Sequence, residues 1–154
     1  MKYIGVKIVE AEPMTVREAQ DKHSTGTAAM DDAGYEITYP DGYKSWCPKA
    51  QFEEANRPID EMTFGHAIEA ARKGLKIARA GWNGKGMFVF MSYPETIQAE
   101  QIRSKHGDRL DVSDSDSTMV VLPCFAMKTA SGEVLFGWLA SQTDILADDW
   151  MVVE

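Results

Sequence analysis

The sequence is poor in the residues that build disulfides and metal sites, with two cysteines and three histidines among 154 residues. Cys47 and Cys124 lie far apart, and no Cys-x-x-Cys or His-x-x-x-His pair provides metal-ligand spacing. We therefore expect two free, largely buried thiols, as is typical of a reducing cytosol, and no metal site.

Long hydrophobic runs are also lacking. The longest, residues 119–127, is interrupted by Pro123 and is shorter than the roughly 20 residues that a membrane-spanning helix requires. The first residues, Met1 to Ile8, alternate in character and are too few for a secretory signal. We expect a cytoplasmic protein with no membrane partner.

Positively charged residues are fewer than negatively charged ones: the chain has 16 Lys and Arg residues and 24 Asp and Glu residues, which gives a net charge of −8. An acidic surface repels phosphate backbones, so we expect no DNA or RNA partner, although a few well-aimed donors can still hold a small anion. The 44% hydrophobic and 26% charged composition is typical of a globular protein. The length suits one ordinary domain or two small ones.

Catalytic motifs are missing too. No histidine lies in a recognisable nucleophile motif, and the glycines of the turn 81–86 match neither dinucleotide nor Walker spacing. The acidic run 111–117 lacks the glycine and the terminal glutamate of a calcium loop and is better explained as a solvated loop. A spatial pair of carboxylates stays open, but we expect no catalytic residue and no cofactor. The carboxylates that best fit solvated surface positions are Glu53, Glu54, Asp148 and Asp149.

Residues 1–57 are predicted to form an N-terminal extension that ends at Arg57-Pro58. Its pattern predicts a strand from Tyr3 to Ala11 and a helix through Lys22 that Thr15 caps. Residues 23–33 show no periodicity, which favours a mobile loop. The remaining predicted elements are a hairpin over residues 35–46, with its turn at 40–42, and a short helix over 48–56.

Residues 58–154 are predicted to form the main, ligand-binding domain. Thr63 caps an amphipathic helix that ends at Lys73-Gly74, and a second short helix is possible over 97–105. Helices and strands do not alternate regularly, so the fold class is α+β with a mainly antiparallel sheet. The predicted strands are 75–80, 87–92 (interior, since both faces are apolar), 120–129, 134–139 and 150–153.

Two polar-aromatic clusters are candidate binding sites, one in the turn 81–87 and one at 137–144, where a strand ends. Stacking of an indole face on a purine contributes about 1–3 kcal/mol to the binding free energy, and amide side chains form hydrogen bonds with base edges. Hydroxyls and a lysine can approach ribose or phosphate oxygens. The same residues are also compatible with core packing and helix capping, so the pattern leaves both interpretations open.

At these residues the chain resembles the phage Thoeris anti-defence 2 family. The resemblance lies in Met-Thr-Phe-Gly at 62–65, Gly-Trp-Asn-Gly-Lys-Gly-Met-Phe at 81–88 and Gly-Trp-Leu-Ala-Ser-Gln-Thr-Asp at 137–144, which occur in the expected order within residues 61–154. Residues 1–57 depart from this pattern and look like a small extension seen in phage and prophage proteins.

The resemblance implies a non-catalytic sponge. Members of that family bind a cyclic ADP-ribose isomer made by bacterial immune sensors without cleaving it, and some also sequester cyclic dinucleotides at a separate site. It also implies a homotetramer with ligand pockets between subunits. The residues matching the family strings are Trp82, Asn83, Trp138, Ser141, Gln142, Thr143 and Asp144, with Arg79 and Lys85 as candidates for phosphate contact.

Two other functions stay open. A phosphodiesterase or glycohydrolase would need a convergent acid, base or metal site, which the spacing does not indicate. A phage accessory module would use its tryptophans as anchors in a protein interface, which the same residues also allow.

Overall fold

The computed structural model describes residues 1, 6–20, 22–26, 28–110 and 118–154. Within these ranges the chain folds into three sheets, in which every strand pair is antiparallel, together with short helices. The predicted α+β class with a mainly antiparallel sheet is confirmed. The acidic run 111–117, predicted to be a solvated loop, lies outside the described residues, as does the start of the strand predicted from Tyr3 to Ala11. That strand prediction is wrong in its position, because residues 6–9 form no strand and pairing with the following strand runs from Glu10 to Thr15.

The first sheet has the order β1-β2-β3 and is called the N-terminal sheet. The predicted hairpin is present, with Tyr35 opposite Cys47. Thr15 begins the first helix through a capping box with Glu18, as predicted, but that helix is one turn long. The bounds are β1 Glu10–Thr15, α1 Val16–Ala19, β2 Ala33–Thr38, β3 Lys44–Pro48 and α2 Lys49–Ala55.

A small core and one charge cluster hold the N-terminal sheet together. Trp46 packs with Val16 and Ala19, and its Nε1 donates to the Met14 carbonyl at 3.0 Å. Glu36 is 7% exposed, and its carboxylate lies 2.6 Å from Nε2 of His23 and 3.0 Å from Nζ of Lys44. His23 was predicted to begin a mobile loop, but its side chain is anchored to Glu36 because a buried carboxylate requires partners.

The second sheet has five strands in the order β10-β4-β5-β8-β9 and is called the central sheet. Its predicted helix, α3, begins after Thr63 as expected, although the Thr63 hydroxyl contacts Nδ1 of His66 rather than capping a backbone N–H. The alanines of α3 allow a close approach to the sheet, where Ile77, Val89 and Trp150 are fully buried. The bounds are α3 Phe64–Arg72, β4 Lys76–Arg79, β5 Phe88–Ser92, β8 Cys124–Lys128, β9 Val134–Phe136 and β10 Trp150–Val153.

The strand predicted over 120–129 is wrong in one respect, since it is two strands in different sheets. β7 (Thr118–Val121) pairs with β6 (Glu95–Gln98), whereas β8 joins the central sheet. Pro123 separates them because proline cannot donate to a ladder. β9 ends at Phe136 rather than at Leu139, because Gly137 turns the chain with a φ of 79°. The remaining elements are α4 Ala99–His106, a 3₁₀ turn at Gly107–Arg109, and α5 Gln142–Ile145.

All described strand pairs lie on one side or the other of the predicted boundary at residues 57 and 58. Cys47 and Cys124 are both free and half-buried. No helix among the described residues is both long enough and apolar enough to cross a bilayer.

Candidate functional site

We call residues 78–88 the first string and residues 137–150 the second string. These two segments carry the candidate residues, and they meet at one end of the central sheet. β10 pairs with β4 so that Trp150, its first residue, lies opposite Arg79, the last residue of β4. Trp150 also forms a bridge with Met62, which precedes α3. This register places the turn that follows β4 beside the segment that precedes β10.

A guanidinium joins the two strings. Arg79 Nε donates to Asp149 Oδ1 at 2.8 Å, and its Nη1 donates to Asp144 Oδ1 at 3.0 Å and to the Thr143 carbonyl at 3.1 Å. We call Arg79, Asp144 and Asp149 the Arg79 clamp. The two carboxylates, Asp149 first, raise the pKa of Arg79 above its ordinary value. Nη2 is the least engaged nitrogen, 3.5 Å from Asp149 Oδ2, and the Arg79 side chain as a whole is 18% exposed.

Asp144 receives four hydrogen bonds at its side chain. Its carboxylate accepts from Ser141 Oγ at 2.6 Å, in a capping box that begins α5, and from Trp82 Nε1 at 3.2 Å. Burial alone would raise the pKa of Asp144, but hydrogen bonds from Ser141, Arg79 and Trp82 outweigh burial and lower the pKa to about 2. The carboxylate is therefore ionised at neutral pH.

Three indoles pack edge to face beside the clamp and are called the tryptophan cluster: Trp82, Trp138 and Trp150. The centroids of Trp82 and Trp138 are 6.1 Å apart, and each of the two lies about 6 Å from Trp150. Trp150 is fully buried and donates from Nε1 to the Asp144 carbonyl at 2.9 Å. Trp82 and Trp138 are half-buried.

The remaining candidate side chains surround this cluster at the surface. Ser141 and Thr143 are exposed, and their hydroxyl oxygens are 2.8 Å apart. Asn83, Lys85 and Gln142 are exposed in the two neighbouring turns, and within the described residues no hydrogen bond or ion pair engages their side chains. The structure thus joins six predicted residues by direct contacts and leaves three free at the surface: Asn83, Lys85 and Gln142.

Asp149 and Trp150 belong to the site but were not predicted to. The expectation that Asp149 is a solvated surface charge is wrong, because its carboxylate accepts from Arg79 and, at 2.8 Å, from the Gly81 backbone N–H. Arg79 holds the pKa of Asp149 below its ordinary value. A sequence signal existed: Asp149 directly precedes a tryptophan inside the second string, and Gly81 leaves room for the carboxylate.

Two surface grooves lie elsewhere on the chain. One, of about 430 Å³, lies on the face of the central sheet opposite α3, and the other, of about 390 Å³, lies between the N-terminal segment and Lys73. Neither is lined by any of the predicted site residues. In the described part of the chain, no group of three or more His, Cys, Asp or Glu side chains is arranged to hold a metal ion.

Comparison with known proteins connects these residues to relatives. A sequence model of the Thoeris anti-defense 2-like domain matches residues 62–153. The chain is also similar to Thoeris anti-defense 2 of Bacillus phage SP01, with 32% identity over 93 residues that make up 60% of this chain and 96% of that protein. The domain match includes the Arg79 clamp and the tryptophan cluster, and it excludes the N-terminal sheet.

Proposed function

The chain belongs to the Thoeris anti-defense 2-like family, and from this we propose that it counteracts bacterial anti-phage defence by sequestering a small nucleotide signal. The ligand is a cyclic ADP-ribose isomer, a cyclic dinucleotide or both. The protein is a sponge rather than an enzyme, since it withholds the signal from its effector and releases it chemically unchanged.

The observation that carries this proposal is the convergence of the two strings at the Arg79 clamp. Residues that are 62 positions apart, Trp82 and Asp144, are in hydrogen-bond contact, and Trp138 packs against Trp82. The clamp thereby orients two half-buried indoles, and we propose that their accessible surface stacks on the bases of a nucleotide. Around them lie the amides of Asn83 and Gln142 and the hydroxyls of Ser141 and Thr143, which suit base edges and ribose or phosphate oxygens.

The electrostatics of the clamp support binding without catalysis. A general acid or base works best when its pKa lies near the working pH. The pKa of Asp144 is lowered to about 2 and that of Asp149 is also lowered, so neither carboxyl donates a proton at neutral pH. Both accept hydrogen bonds from Arg79, which uses them to hold the site together rather than to move protons.

An oligomer would complete the pocket. Neither of the two grooves described above is lined by the candidate residues, and we propose that a second chain supplies walls around the tryptophan cluster. Large apolar side chains near the cluster fit this arrangement, since Leu139 is 88% exposed and Leu146 is 77% exposed. Exposed apolar patches of this kind mark interaction surfaces. We propose a homotetramer with ligand sites between its subunits.

The decisive experiment is mass spectrometry of ligand released by heat from the protein expressed beside an active immune sensor. An intact cyclic nucleotide supports the sponge. A linear or hydrolysed product contradicts it and favours a phosphodiesterase or glycohydrolase. In thermal-shift measurements with a panel of cyclic nucleotides, ligand at 100 times its dissociation constant should add about 2.7 kcal/mol of stability. No shift with any member favours a protein-interaction module instead.

A second experiment tests the shared pocket. Leu139→Glu and Leu146→Glu place a charge on the exposed apolar side chains near the cluster, and each should reduce both the assembled mass and the ligand affinity. Val121→Glu is a control on the two-stranded sheet, at a position that is also exposed. A monomeric variant that keeps full affinity would show that one chain forms the pocket alone.

A further inference from the structure

The turn of the first string is held at both ends, and a different part of the molecule holds each end. Its front half is fixed by the Arg79 clamp, since the Gly81 backbone N–H and the Trp82 indole both donate to carboxylates of the clamp. Its rear half, residues 84–87, lies against the hairpin that joins β8 to β9. The exposed candidate side chains that lie between the two anchors are those of Asn83 and Lys85.

The rear anchor is the ammonium group of Lys128. Lys128 lies on β8 opposite Phe88, and its Nζ donates to the carbonyl of Gly86 at 3.2 Å. The same nitrogen is 3.5 Å from the carbonyl of Thr129 and 5.8 Å from the centroid of the Phe88 ring. An ammonium group has three N–H donors, so these three partners can engage all of them. No carboxylate among the described residues lies within ion-pair distance of Lys128, and its charge therefore acts on the backbone.

The backbone of the turn needs such an anchor because it is rich in glycine. Gly81, Gly84 and Gly86 lie within six residues, and Gly86 has a φ of 71°. Glycine permits this left-handed conformation but also permits many others, so it does not hold the turn in one shape. A hydrogen bond from a charged donor to the carbonyl of Gly86 selects one of these conformations.

The hairpin that carries the anchor is fixed by its own hydrogen bonds. The Thr129 N–H donates to the Glu133 carbonyl at 2.8 Å, and the Glu133 carboxylate accepts from the hydroxyls of Ser131 and Thr129. These hydrogen bonds lower the pKa of Glu133 to about 2, so its carboxylate is ionised at neutral pH. A Cβ on Gly84 would lie 3.1 Å from the Cβ of Ala130, which shows that the turn packs directly on the hairpin.

A second lysine has the same charge near the same ring but does not hold the turn. Nζ of Lys76 lies 5.4 Å from the centroid of Phe88. In the part of the chain that the structure describes, only Lys128 of these two also donates a hydrogen bond to the first string. The pair therefore separates the effect of a nearby positive charge from the effect of the contact with Gly86.

We propose that Lys128 is a positioning residue of the ligand site, which holds the rear half of the turn so that Asn83 and Lys85 face the bound nucleotide. This role rests on the proposed sponge function. Lys128 acts through the turn, because it shares with Phe88 the face of the sheet opposite the core in which the tryptophan cluster packs. Ordering a flexible loop on binding costs free energy, and a turn that is ordered beforehand avoids this cost.

The test compares lysine variants of the full chain by titration calorimetry. The probe is the tightest-binding member of a panel of cyclic ADP-ribose isomers and cyclic dinucleotides. Lys128→Met removes the ammonium group from a side chain of similar length and should weaken the affinity about three- to tenfold. Lys128→Arg retains a charged donor and should restore most of the affinity. Lys76→Met is the matched control, since it removes a charge beside the same ring, and it should bind like the wild type.

Two further readouts separate positioning from general destabilisation. In the free Lys128→Met variant the amides of residues 83–87 should exchange hydrogen faster than in the wild type, whereas the amides of β4 and β10 should not change. In a double-mutant cycle, Lys128→Met should weaken binding little further when Asn83→Ala and Lys85→Gln are already present, because the side chains that it positions are gone.

Three results would overturn the proposal: wild-type affinity in Lys128→Met, an equal loss in Lys76→Met, or an undiminished loss in the Asn83→Ala/Lys85→Gln background. The second result would mean that positive charge on this face attracts the ligand without fixing the turn. If the wild type binds no member of the panel, the sponge function itself fails. If the wild type binds and Lys128→Met binds equally well, only the positioning role fails.

Discussion

The N-terminal sheet and the central sheet each contain a charge cluster, but the central group is a carboxylate in the first and a guanidinium in the second. In the N-terminal sheet a carboxylate, Glu36, lies between His23 and Lys44, which are 13 and 8 positions away in sequence. In the central sheet the guanidinium of the Arg79 clamp lies between carboxylates that are 65 and 70 positions away. The first cluster joins neighbouring segments, whereas the second joins the two distant strings that carry the candidate site.

This difference separates the part of the molecule that carries the proposed binding site from the part that does not. The N-terminal cluster stabilises a hairpin that lies outside the matched domain. The Arg79 clamp holds the carboxylate that accepts from Trp82, so it sets the position of an indole as well as the stability of the sheet. Substitutions in the first region should therefore change stability alone, and substitutions in the second should change stability and affinity together.

The largest expected effect comes from two tryptophans, one in each region. Trp46→Ala should lower the free energy of unfolding by about 3–5 kcal/mol, because the ring is buried, yet leave affinity for the tightest member of a cyclic nucleotide panel unchanged. Trp138→Ala should weaken that affinity by about 1–3 kcal/mol through lost stacking. Urea unfolding and calorimetry measure the two quantities. Equal loss of affinity in both variants would mean general destabilisation and would remove the distinction.

The second prediction, with a smaller expected effect on stability, compares the cations of the two charge clusters, Arg79 and Lys44. Arg79→Ala leaves two carboxylates without their shared partner and should lower the free energy of unfolding by about 2–3 kcal/mol and weaken ligand binding. Lys44→Ala should lower the free energy of unfolding less than Arg79→Ala does, since the Lys44 side chain is largely exposed. Arg79→Lys tests the geometry, because a lysine keeps the charge but not the fork. Full affinity in Arg79→Ala would show that the clamp does not position Trp82.

The third prediction compares two glycines, Gly81 and Gly34, each of which lies against a neighbouring oxygen atom with no room for a Cβ. A Cβ on Gly81 would lie 2.8 Å from Asp149 Oδ2, and a Cβ on Gly34 would collide with the Cys47 carbonyl. Each alanine variant should lower the free energy of unfolding by about 1–3 kcal/mol. Only Gly81→Ala should weaken ligand binding, as measured by calorimetry. Weaker binding in Gly34→Ala would link the N-terminal sheet to the site and contradict the comparison.

The smallest effect is the response to acid. The pKa of Asp144 is about 2 in the folded chain and near 3.8 when unfolded, so the unfolded state binds more protons between these values. This carboxyl should therefore contribute at most about 2 kcal/mol of stability above pH 4, and that contribution is lost as the pH falls towards 2. Urea unfolding from pH 6 to pH 2 measures it. Asp144→Asn should reduce the loss of stability between pH 4 and pH 2. If the free energy of unfolding depends on pH equally steeply in that variant, the lowered pKa of Asp144 is contradicted.

Several elements were predictable because their signals are local. β10 has the predicted bounds, Trp150 to Val153, and α3 begins after Thr63 and stops at the basic, glycine-terminated turn. The cap at Thr15 is likewise a short-range pattern in which each partner lies within one turn of the other. The second string also predicted polar side chains at 141–144, although α5 was expected to be only a turn.

Other features depend on contacts between distant segments. The split between β7 and β8 places two neighbouring apolar runs in different sheets, and apolar character alone does not say which strand each will pair with. In the sequence, Asp149 looks like an ordinary surface charge. Its contact with Arg79 exists only because β10 pairs with β4. The same pairing buries Trp150 beneath α3.

The sequence by itself determined the fold class, the family strings and most helix and strand positions, because each depends on residues within a few positions of one another. The tertiary structure alone decided that Arg79 is held by two carboxylates and that Lys76 and Lys128 flank the same phenyl ring. Strand alternation predicts which side chains share a face, but strand order decides which distant side chains meet across it.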